Sequence, residues 1–303
     1  MGTHEFAIIE RLRSRLPAIG DDAAVVDQPG GGALLLCADA AVAGVHADLA
    51  LVGVDDLGWK AMAASLSDIA AMGGRPAHAL VTVSGPLGDV DVDLLFDGLL
   101  AAADAYGCEV VGGDLTAGPA LVVSVAVTGT VDGPPVLRSG ARPGDTLLVT
   151  GPLGAAAAGL QLLRAGRLGE APDLELAHRR PRPRIGEGEA ARRAGATAMI
   201  DVSDGLASDL FHLAGASGVG VVVEHVPVAV GVARYGDDAE SAALGGGEDY
   251  ELLFTTPDAA AMEDAFAAAG LVVPLRVGRV TADPAERLLG DEPLPLLGWE
   301  HVW

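Results

Sequence analysis

The sequence predicts an α/β fold with mixed sheets, divided between two domains. Short apolar segments rich in Val, Leu and Ala alternate with helical patterns along the chain, which is typical of sheets covered by helices. The 303 residues exceed the usual size of one domain. Near the middle, residues 132–145 are rich in proline, glycine and charge, as linkers often are. We therefore predict an N-terminal domain over residues 1–137 and a C-terminal domain over residues 138–303.

In the N-terminal half, apolar spacing predicts three helices and five strands. The clearest helix begins at Asp55 or Asp56 and ends before Gly73-Gly74, with Trp59, Met62 and Leu66 on one face. Two further helices are predicted over 6–16 and 91–106. The predicted strands lie within 20–26, 33–39, 77–84, 109–116 and 120–130.

The C-terminal half repeats this alternation. Strands are predicted within 146–150, 197–202, 219–224, 248–255 and 271–280, and helices within 155–164, 186–194, 204–213 and 257–269. Ser203 or Asp204 is a suitable N-cap for the third of these helices, with Gly205 in the turn.

The composition excludes several classes of partner. Forty-two acidic residues against 19 basic ones give a net charge of −23, which disfavours nucleic acid and anionic membranes as partners. No apolar run approaches the ~18–20 residues of a membrane span. The two isolated cysteines, Cys37 and Cys108, are typical of a reduced, cytoplasmic protein. An anionic substrate would need divalent metal ions to enter so acidic a protein.

Acidic residues recur at sharp turns and at the ends of predicted strands. Asp201 ends a predicted strand and Asp204 begins a predicted helix; either alone is consistent with an ordinary capped turn. Similar acids occur at Asp21/Asp22, Asp39, Asp114 and Glu248/Asp249, and Asp68 lies on a helix face of small residues. Mg²⁺ binds a few carboxylates together with phosphate oxygens. The recurrence therefore indicates a site with several Mg²⁺ ions, and phosphoryl transfer is the chemistry that needs it.

Two basic features qualify this prediction. Lys60 is the chain's only lysine and Ala61 follows it, which excludes a Walker A loop. Any nucleotide must therefore be bound in another way. The run Arg179–Arg184 is either a loop paired within the chain or a contact for an anion.

Five motifs, in this order and spacing along the whole chain, resemble those of the thiamine-monophosphate kinase family. They are Gly20-Asp-Asp-Ala-Ala-Val-Val, Leu66-Ser-Asp-Ile-Ala-Ala-Met-Gly, Val111-Gly-Gly-Asp-Leu-Thr-Ala-Gly-Pro, Asp201-Val-Ser-Asp-Gly-Leu and Gly246-Gly-Glu-Asp-Tyr-Glu-Leu-Leu-Phe-Thr. The resemblance implies the two-domain fold of aminoimidazole ribonucleotide synthetase, with N-terminal sheets of two copies forming a barrel across a homodimer. It also implies the reaction ATP + thiamine phosphate → ADP + thiamine diphosphate.

The resemblance assigns roles position by position. The implied Mg²⁺ ligands are Asp22, Asp39, Asp68, Asp114, Asp201 and Asp204. The implied ATP contacts are Tyr106, Gly113, Asp114, Arg138 and Ser203, and the implied contacts to thiamine phosphate are His46, Glu248 and Trp299. No side chain is expected to act as general base or covalent nucleophile, since the attacking group is a phosphate oxygen that is already ionised.

One departure from the family pattern affects the metal site. Cys37-Ala38 stand before Asp39, where the family has hydroxyl residues. A thiol is a poor ligand for a hard cation, so we predict coordination by Asp39 and none by the side chains of residues 37 and 38.

Two alternatives remain from the sequence. One is another ATP-dependent enzyme of the same superfamily. The other is a non-catalytic acidic protein that binds metal ions or nucleotides.

Overall fold

The N-terminal half forms a five-stranded sheet covered on one face by two helices. The computed structural model describes residues 5–13, 15–16, 19–28, 32–235 and 238–300. The elements of this half are α1 Glu5–Arg13, β1 Ala24–Asp27, β2 Ala33–Val42, α2 Val54–Ala71, β3 Arg75–Gly85, α3 Val92–Ala105, β4 Glu109–Ala117 and β5 Val122–Val131. The strand order is β1-β2-β5-β3-β4, and all pairs are antiparallel except β3–β4.

Successive side chains along these strands point to opposite faces of the sheet, and one of the two faces is buried. Leu35, Val81 and Val125 point to α2 and are almost fully buried beside its apolar residues. Their neighbours Leu36 and Leu80 point the other way and are 38% and 53% exposed. The sheet therefore has one covered face and one face that the single chain leaves open.

The C-terminal half forms a seven-stranded sheet with helices on both faces. Its strands are β6 Thr146–Val149, β7 Ala198–Val202, β8 Gly220–Val223, β9 Glu251–Thr256, β10 Leu275–Thr281, β11 Arg287–Leu289 and β12 Glu292–Pro293. Its helices are α4 Ala155–Arg164, α5 Pro172–Arg179, α6 Ile185–Arg193, α7 Leu206–Ser217, α8 Val232–Tyr235, α9 Ala239–Gly245 and α10 Ala259–Ala268. The strand order is β12-β11-β8-β10-β6-β9-β7. Buried residues of α7 lie on one side of it and those of α6 and α10 on the other.

Helix α2 joins the two halves. A side chain at Gly188 of α6 would come within 2.1 Å of the Ala70 carbonyl, so glycine permits this close approach. Trp59 donates its indole N–H to Pro181 O (2.9 Å) at the other end of the helix. Helix α2 is thus packed against both halves, and its residues can take part in a site between them.

The predicted elements are present within a few residues, but three local predictions were wrong. Asp39 and Asp114 lie inside β2 and β4 and do not end them. The N-cap of α7 is Gly205, whose φ of 123° favours glycine. The short helices α5, α8 and α9 and strands β11 and β12 were not predicted. The predicted domain limits, 1–137 and 138–303, fall in the segment between β5 and β6 and stay a prediction.

In the part of the chain that the structure describes, no helix combines the length and apolar character needed to cross a membrane.

Candidate active site

Three carboxylates from three separate elements meet between the sheets. Asp22 precedes β1, Asp68 lies on α2 and Asp201 lies on β7, and each offers an oxygen within 4.8 Å of the others. The Ser67 hydroxyl donates to Asp201 Oδ2 (2.6 Å) and orients it. Together Asp22, Asp68 and Asp201 are called the acid cluster.

Asp39 lies beside the acid cluster, and the group is electrostatically crowded. Burial, together with the charges of Asp39, Asp201 and Asp22, raises the pKa of Asp68 well above its usual value. Burial and Asp22 raise the pKa of Asp201 to about 7, against the lowering effect of Ser67. Burial and Asp22 also raise the pKa of Asp39. Carboxylates packed this closely repel one another unless a cation lies between them.

Arg138 contacts the acid cluster through Asp22. Its guanidinium donates to both oxygens of Asp22, at 2.6 and 3.3 Å, and its backbone N–H donates to Asp21 Oδ1 (2.7 Å). One guanidinium cannot neutralise Asp22, Asp68, Asp201 and Asp39 together. The remaining negative charge is what divalent metal ions would offset.

The turn between β7 and α7 lies next to the acid cluster and carries Ser203 and Asp204. Asp209, which is 2% exposed, accepts the N–H groups of Asp204 and Gly205, both at 3.1 Å. This buried carboxylate replaces the N-cap predicted at Ser203 or Asp204. The backbone N–H of Trp299 donates to the Asp204 carbonyl (3.0 Å), so Trp299 lies beside the turn. Trp299 is 53% exposed.

Glu248 lies at the centre of a second group of polar side chains. Lys60 Nζ is 2.7 Å from both of its carboxylate oxygens and donates to the His46 carbonyl at 3.2 Å. His178 Nδ1 lies 3.3 Å from Glu248 Oε2. Burial would raise the pKa of Glu248, but Lys60 and His178 lower it to about 2. Glu248 therefore stays ionised, and Lys60 joins it to His46.

The loop that carries Glu248 has an unusual backbone. Glu248 and Tyr250 have φ values of 70° and 51°, in the left-handed region that non-glycine residues rarely adopt. The Glu248 N–H donates to Ser203 O (2.7 Å) and the Tyr250 N–H to Val202 O (2.9 Å). Asp249 accepts the N–H groups of Gly154 and Ala156 at the start of α4. These bonds hold the loop against the turn that carries Ser203 and Asp204.

Three of the predicted ATP contacts lie apart from the acid cluster. Gly113 and Asp114 are on the edge strand β4, three strands from Asp39, roughly 14 Å along the sheet at the usual strand spacing. Asp114 pairs with Thr82, which points to the open face of the sheet. Tyr106 follows α3 and is close to Arg182. Within one chain, these residues do not join Asp22, Asp68 and Asp201.

The basic run is largely paired within the chain. Arg179 and Arg180 bind the two oxygens of Asp56 at 2.6 and 2.8 Å, and Arg184 binds Glu251. Of the two readings that the sequence left open, intramolecular pairing describes these three arginines.

The Cys37 side chain packs against α2 and bonds to its backbone. Its thiol donates to Ser65 O (3.2 Å). Burial, followed by the charges of Asp68 and Asp39, raises the pKa of the thiol, so it stays protonated. A protonated thiol is a poor metal ligand.

Sequence reasoning missed Lys60, His178 and Asp209. Lys60 entered only as evidence against a Walker A loop. A single lysine within a helix of mostly apolar, buried residues was the available signal, because such a charge needs a partner.

Comparisons with known proteins identify the family. The N-terminal domain model of the AIR synthase related proteins matches residues 20–131, and the C-terminal domain model matches residues 142–291. A thiamine-monophosphate kinase of Salmonella typhimurium is 40% identical over 278 residues, which cover 85% of this chain and 84% of that protein. The chain belongs to the thiamine-monophosphate kinase family.

Two further comparisons support the assignment to this family. A thiamine-monophosphate kinase of Mycobacterium tuberculosis is 37% identical, with 98% of this chain and 91% of that protein covered. The solved structure named "AaThiL complexed with AMPPCP and TMP" matches with a TM-score of 0.87 and 34% identity, covering 98% of this chain and 97% of its own. Membership of this kinase family makes the chain an ATP-dependent phosphotransferase, so the non-catalytic alternative is not favoured.

Proposed function

We propose that the protein transfers the γ-phosphoryl group of ATP to thiamine phosphate, producing ADP and thiamine diphosphate. The observation that carries this proposal is the acid cluster, Asp22, Asp68 and Asp201, together with the Lys60–Glu248 pair, since Asp68 and Lys60 both lie on α2. Relatives named for this activity, which are 37–40% identical over most of the chain, support it.

Mg²⁺ fits the residues that would hold it. The donors are hard carboxylate oxygens from Asp22, Asp39, Asp68, Asp201 and Asp204. Burial, followed by the charges of neighbouring carboxylates, raises the pKa values of Asp39, Asp68 and Asp201, and a bound cation would offset that repulsion. Bound Mg²⁺ would neutralise phosphate oxygens and the charge that develops between them. The chain's own contribution is to hold these oxygens in place: Ser67 orients Asp201 and Arg138 orients Asp22.

Helix α2 suggests how thiamine phosphate lies in the site. Lys60, beside Glu248 and His46, and Asp68, in the acid cluster, are eight positions apart, which is roughly 12 Å along a helix. A molecule with its ring system near Glu248 and its phosphate near Asp68 would span this distance. The ionised Glu248 and the exposed indole of Trp299 suit a cationic aromatic ring. His46, Glu248 and Trp299 are therefore proposed as the acceptor site.

No side chain is proposed as a general base or a covalent nucleophile. The acceptor's phosphate oxygen is already ionised near neutral pH, with a second pKa near ~6. Transfer then depends on positioning two phosphates in line and on neutralising their charge.

The first prediction concerns the acceptor. With ATP and Mg²⁺, the protein should convert thiamine phosphate to thiamine diphosphate, and free thiamine should be a poor acceptor, because it lacks the phosphate that the acid cluster and metal would hold. Product formation measured by chromatography with each acceptor tests this. Equal turnover of free thiamine, or turnover of aminoimidazole-type precursors instead, would contradict the proposal.

We also propose a homodimer in which the N-terminal sheets join as a barrel. Strand β5 lies in the middle of the N-terminal sheet, and β1 and β4 are its edges. The open face carries Leu36 and Leu80, and Leu115 of β4 is 56% exposed. Burying such a face and its edges is favourable. Within one chain, Gly113 and Asp114 lie apart from the acid cluster. In a dimer, they could instead contact a nucleotide bound at the acid cluster of the second copy.

The second prediction tests this dimer. Leu80→Arg places a charge on the open face, where the side chain is 53% exposed, so the single chain should still fold. We expect sedimentation to change from dimer to monomer at micromolar concentration, with loss of most activity. Leu168→Arg, at a position 68% exposed and away from the sheet, is the matched control and should stay dimeric. A wild-type protein that sediments as a monomer would contradict the proposal.

A cytoplasmic location is proposed as well. Both cysteines are free in the structure, and ATP and thiamine phosphate are intracellular substrates.

A further inference from the structure

Lys60 is a buried charge with two partners from distant parts of the chain. It lies on α2, is 3% exposed, and contacts Glu248, 188 positions away, and the His46 carbonyl. The first partner belongs to the C-terminal half and the second to the N-terminal half. A single ammonium group thus connects two of the three proposed acceptor residues, Glu248 and His46.

Stability alone does not account for this arrangement. Burying an ammonium group removes it from water, and an ion pair in such a place is often no more stabilising than apolar side chains of the same volume. Glu248 also has a φ of 70°, which is unfavourable for a glutamate. Charge and strain together indicate that the position of the Glu248 carboxylate matters for something other than folding.

The geometry leaves the carboxylate able to bind a ligand. An ionised carboxylate has about four lone-pair directions. Lys60 occupies one on each oxygen, and His178 Nδ1 approaches Oε2 at 3.3 Å, without forming an aligned hydrogen bond. Oε1 keeps a lone pair, and the Glu248 side chain keeps 26% of its surface open to solvent. A ligand with an amino group or a cationic ring can use this remaining capacity.

We propose that Lys60 is a positioning residue, assisted by His178, that holds the Glu248 carboxylate ionised and directed at the ring end of the acceptor. The inference rests on the proposed function, because it takes thiamine phosphate as that acceptor. By positioning Glu248, Lys60 would favour acceptors whose ring is cationic or donates a hydrogen bond. Lys60 itself does not contact the transferred phosphoryl group.

The test compares Lys60→Met with the wild-type protein. We expect the KM for thiamine phosphate to rise roughly 30-fold, in the range for losing one partner of a buried charge pair. The KM for ATP should change less than about twofold, because the acid cluster and Arg138 are untouched. Lys60→Arg keeps the charge and should restore most of the affinity for thiamine phosphate. Arg279→Met, which removes a cation from an exposed pair with Glu224, is the matched control.

A double-mutant cycle separates positioning from general structural damage. If Lys60 acts through Glu248, Lys60→Met should add less than about threefold to the KM for thiamine phosphate in the Glu248→Gln background. Full additivity, or equal rises in the KM for ATP and for thiamine phosphate, would overturn the inference. If Lys60→Met does not fold, Lys60→Gln gives the same readout with a smaller change of polarity. Absence of thiamine phosphate turnover by the wild-type protein would instead refute the proposed function.

Discussion

Replacing Asp68 or Asp201 by Asn should abolish most activity while leaving the metal-free protein at least as stable as wild type. We expect turnover to fall at least ~1,000-fold, because removing a charged group that stabilises a transition state costs about that much. The same change removes one charge from a crowded group whose pKa values are raised. At pH 8, above the pKa of about 7 that Asp201 has in the folded protein, the metal-free melting temperature of Asp201→Asn should stay constant or rise by a few degrees, since ~1 kcal/mol corresponds to a few degrees. The raised pKa of Asp68 gives the same direction for Asp68→Asn.

Steady-state kinetics at varied Mg²⁺ concentration and calorimetry of metal-free protein measure these two effects. The double variant should be little worse than either single variant, because residues that act as one unit are not additive. Asp264→Asn, at an exposed position of α10, is the control and should change neither quantity. A variant with lost activity, unchanged Mg²⁺ dependence and recovery in small-molecule bases would contradict the metal-ligand role. A phosphorylated enzyme formed from ATP without acceptor would contradict direct transfer.

Arg138→Met should have the second largest effect and should reduce both stability and ATP binding. The Asp22 carboxylate is fully buried and Arg138 donates to both of its oxygens. Loss of the guanidinium leaves Asp22 unpaired next to Asp68 and Asp201, and breaking a buried pair typically costs about 3–5 kcal/mol. We expect denaturant unfolding to show a loss near the lower limit of that range, since Arg138 is partly exposed. The KM for ATP should rise at least ~30-fold if the guanidinium also contacts a phosphate.

The double variant Arg138→Met/Asp22→Asn distinguishes the effect on stability from the effect on activity. It removes both members of the pair, so stability should recover while activity does not. Arg276→Met, which breaks an exposed pair with Glu263, is the matched control and should cost less than ~1 kcal/mol. Arg138→Met with the stability and ATP affinity of this control would contradict the role given to Arg138.

The acid cluster was predictable in its members but not in its grouping. Asp22 and Asp201 were visible because one stands in a turn and the other ends an apolar segment, and Asp68 because it lies on a helix face of small residues; each of these is a local signal. That Asp22, Asp68 and Asp201 meet, while Asp114 lies on the far edge strand, depends on the strand order β1-β2-β5-β3-β4. Strand order results from which faces pack against α2 and α3, and local spacing carries little information about it.

The pairing of Lys60 with Glu248 could not be predicted from the sequence either, because it also depends on a contact between distant parts of the chain. The two residues are 188 positions apart, and the sequence around either one does not indicate the other as its partner. The N-cap of α7 is similar: Ser203 and Asp204 satisfy the local preference, yet the buried Asp209 accepts the free N–H groups instead. A carboxylate that is already buried gains more from these bonds than an exposed one.

The sequence by itself determined the alternation of helices and strands, the family, the acidic character of the site and the absence of a Walker A loop, because these depend on residue type and spacing along the chain. The tertiary structure decided which acids share a site, that Lys60 and His178 flank Glu248, and that β5 is central while β1 and β4 are edges. These features depend on burial and on charges brought together from distant positions. A polar group's energy changes by several kcal/mol when it loses water and gains a partner, and that happens only when the chain folds.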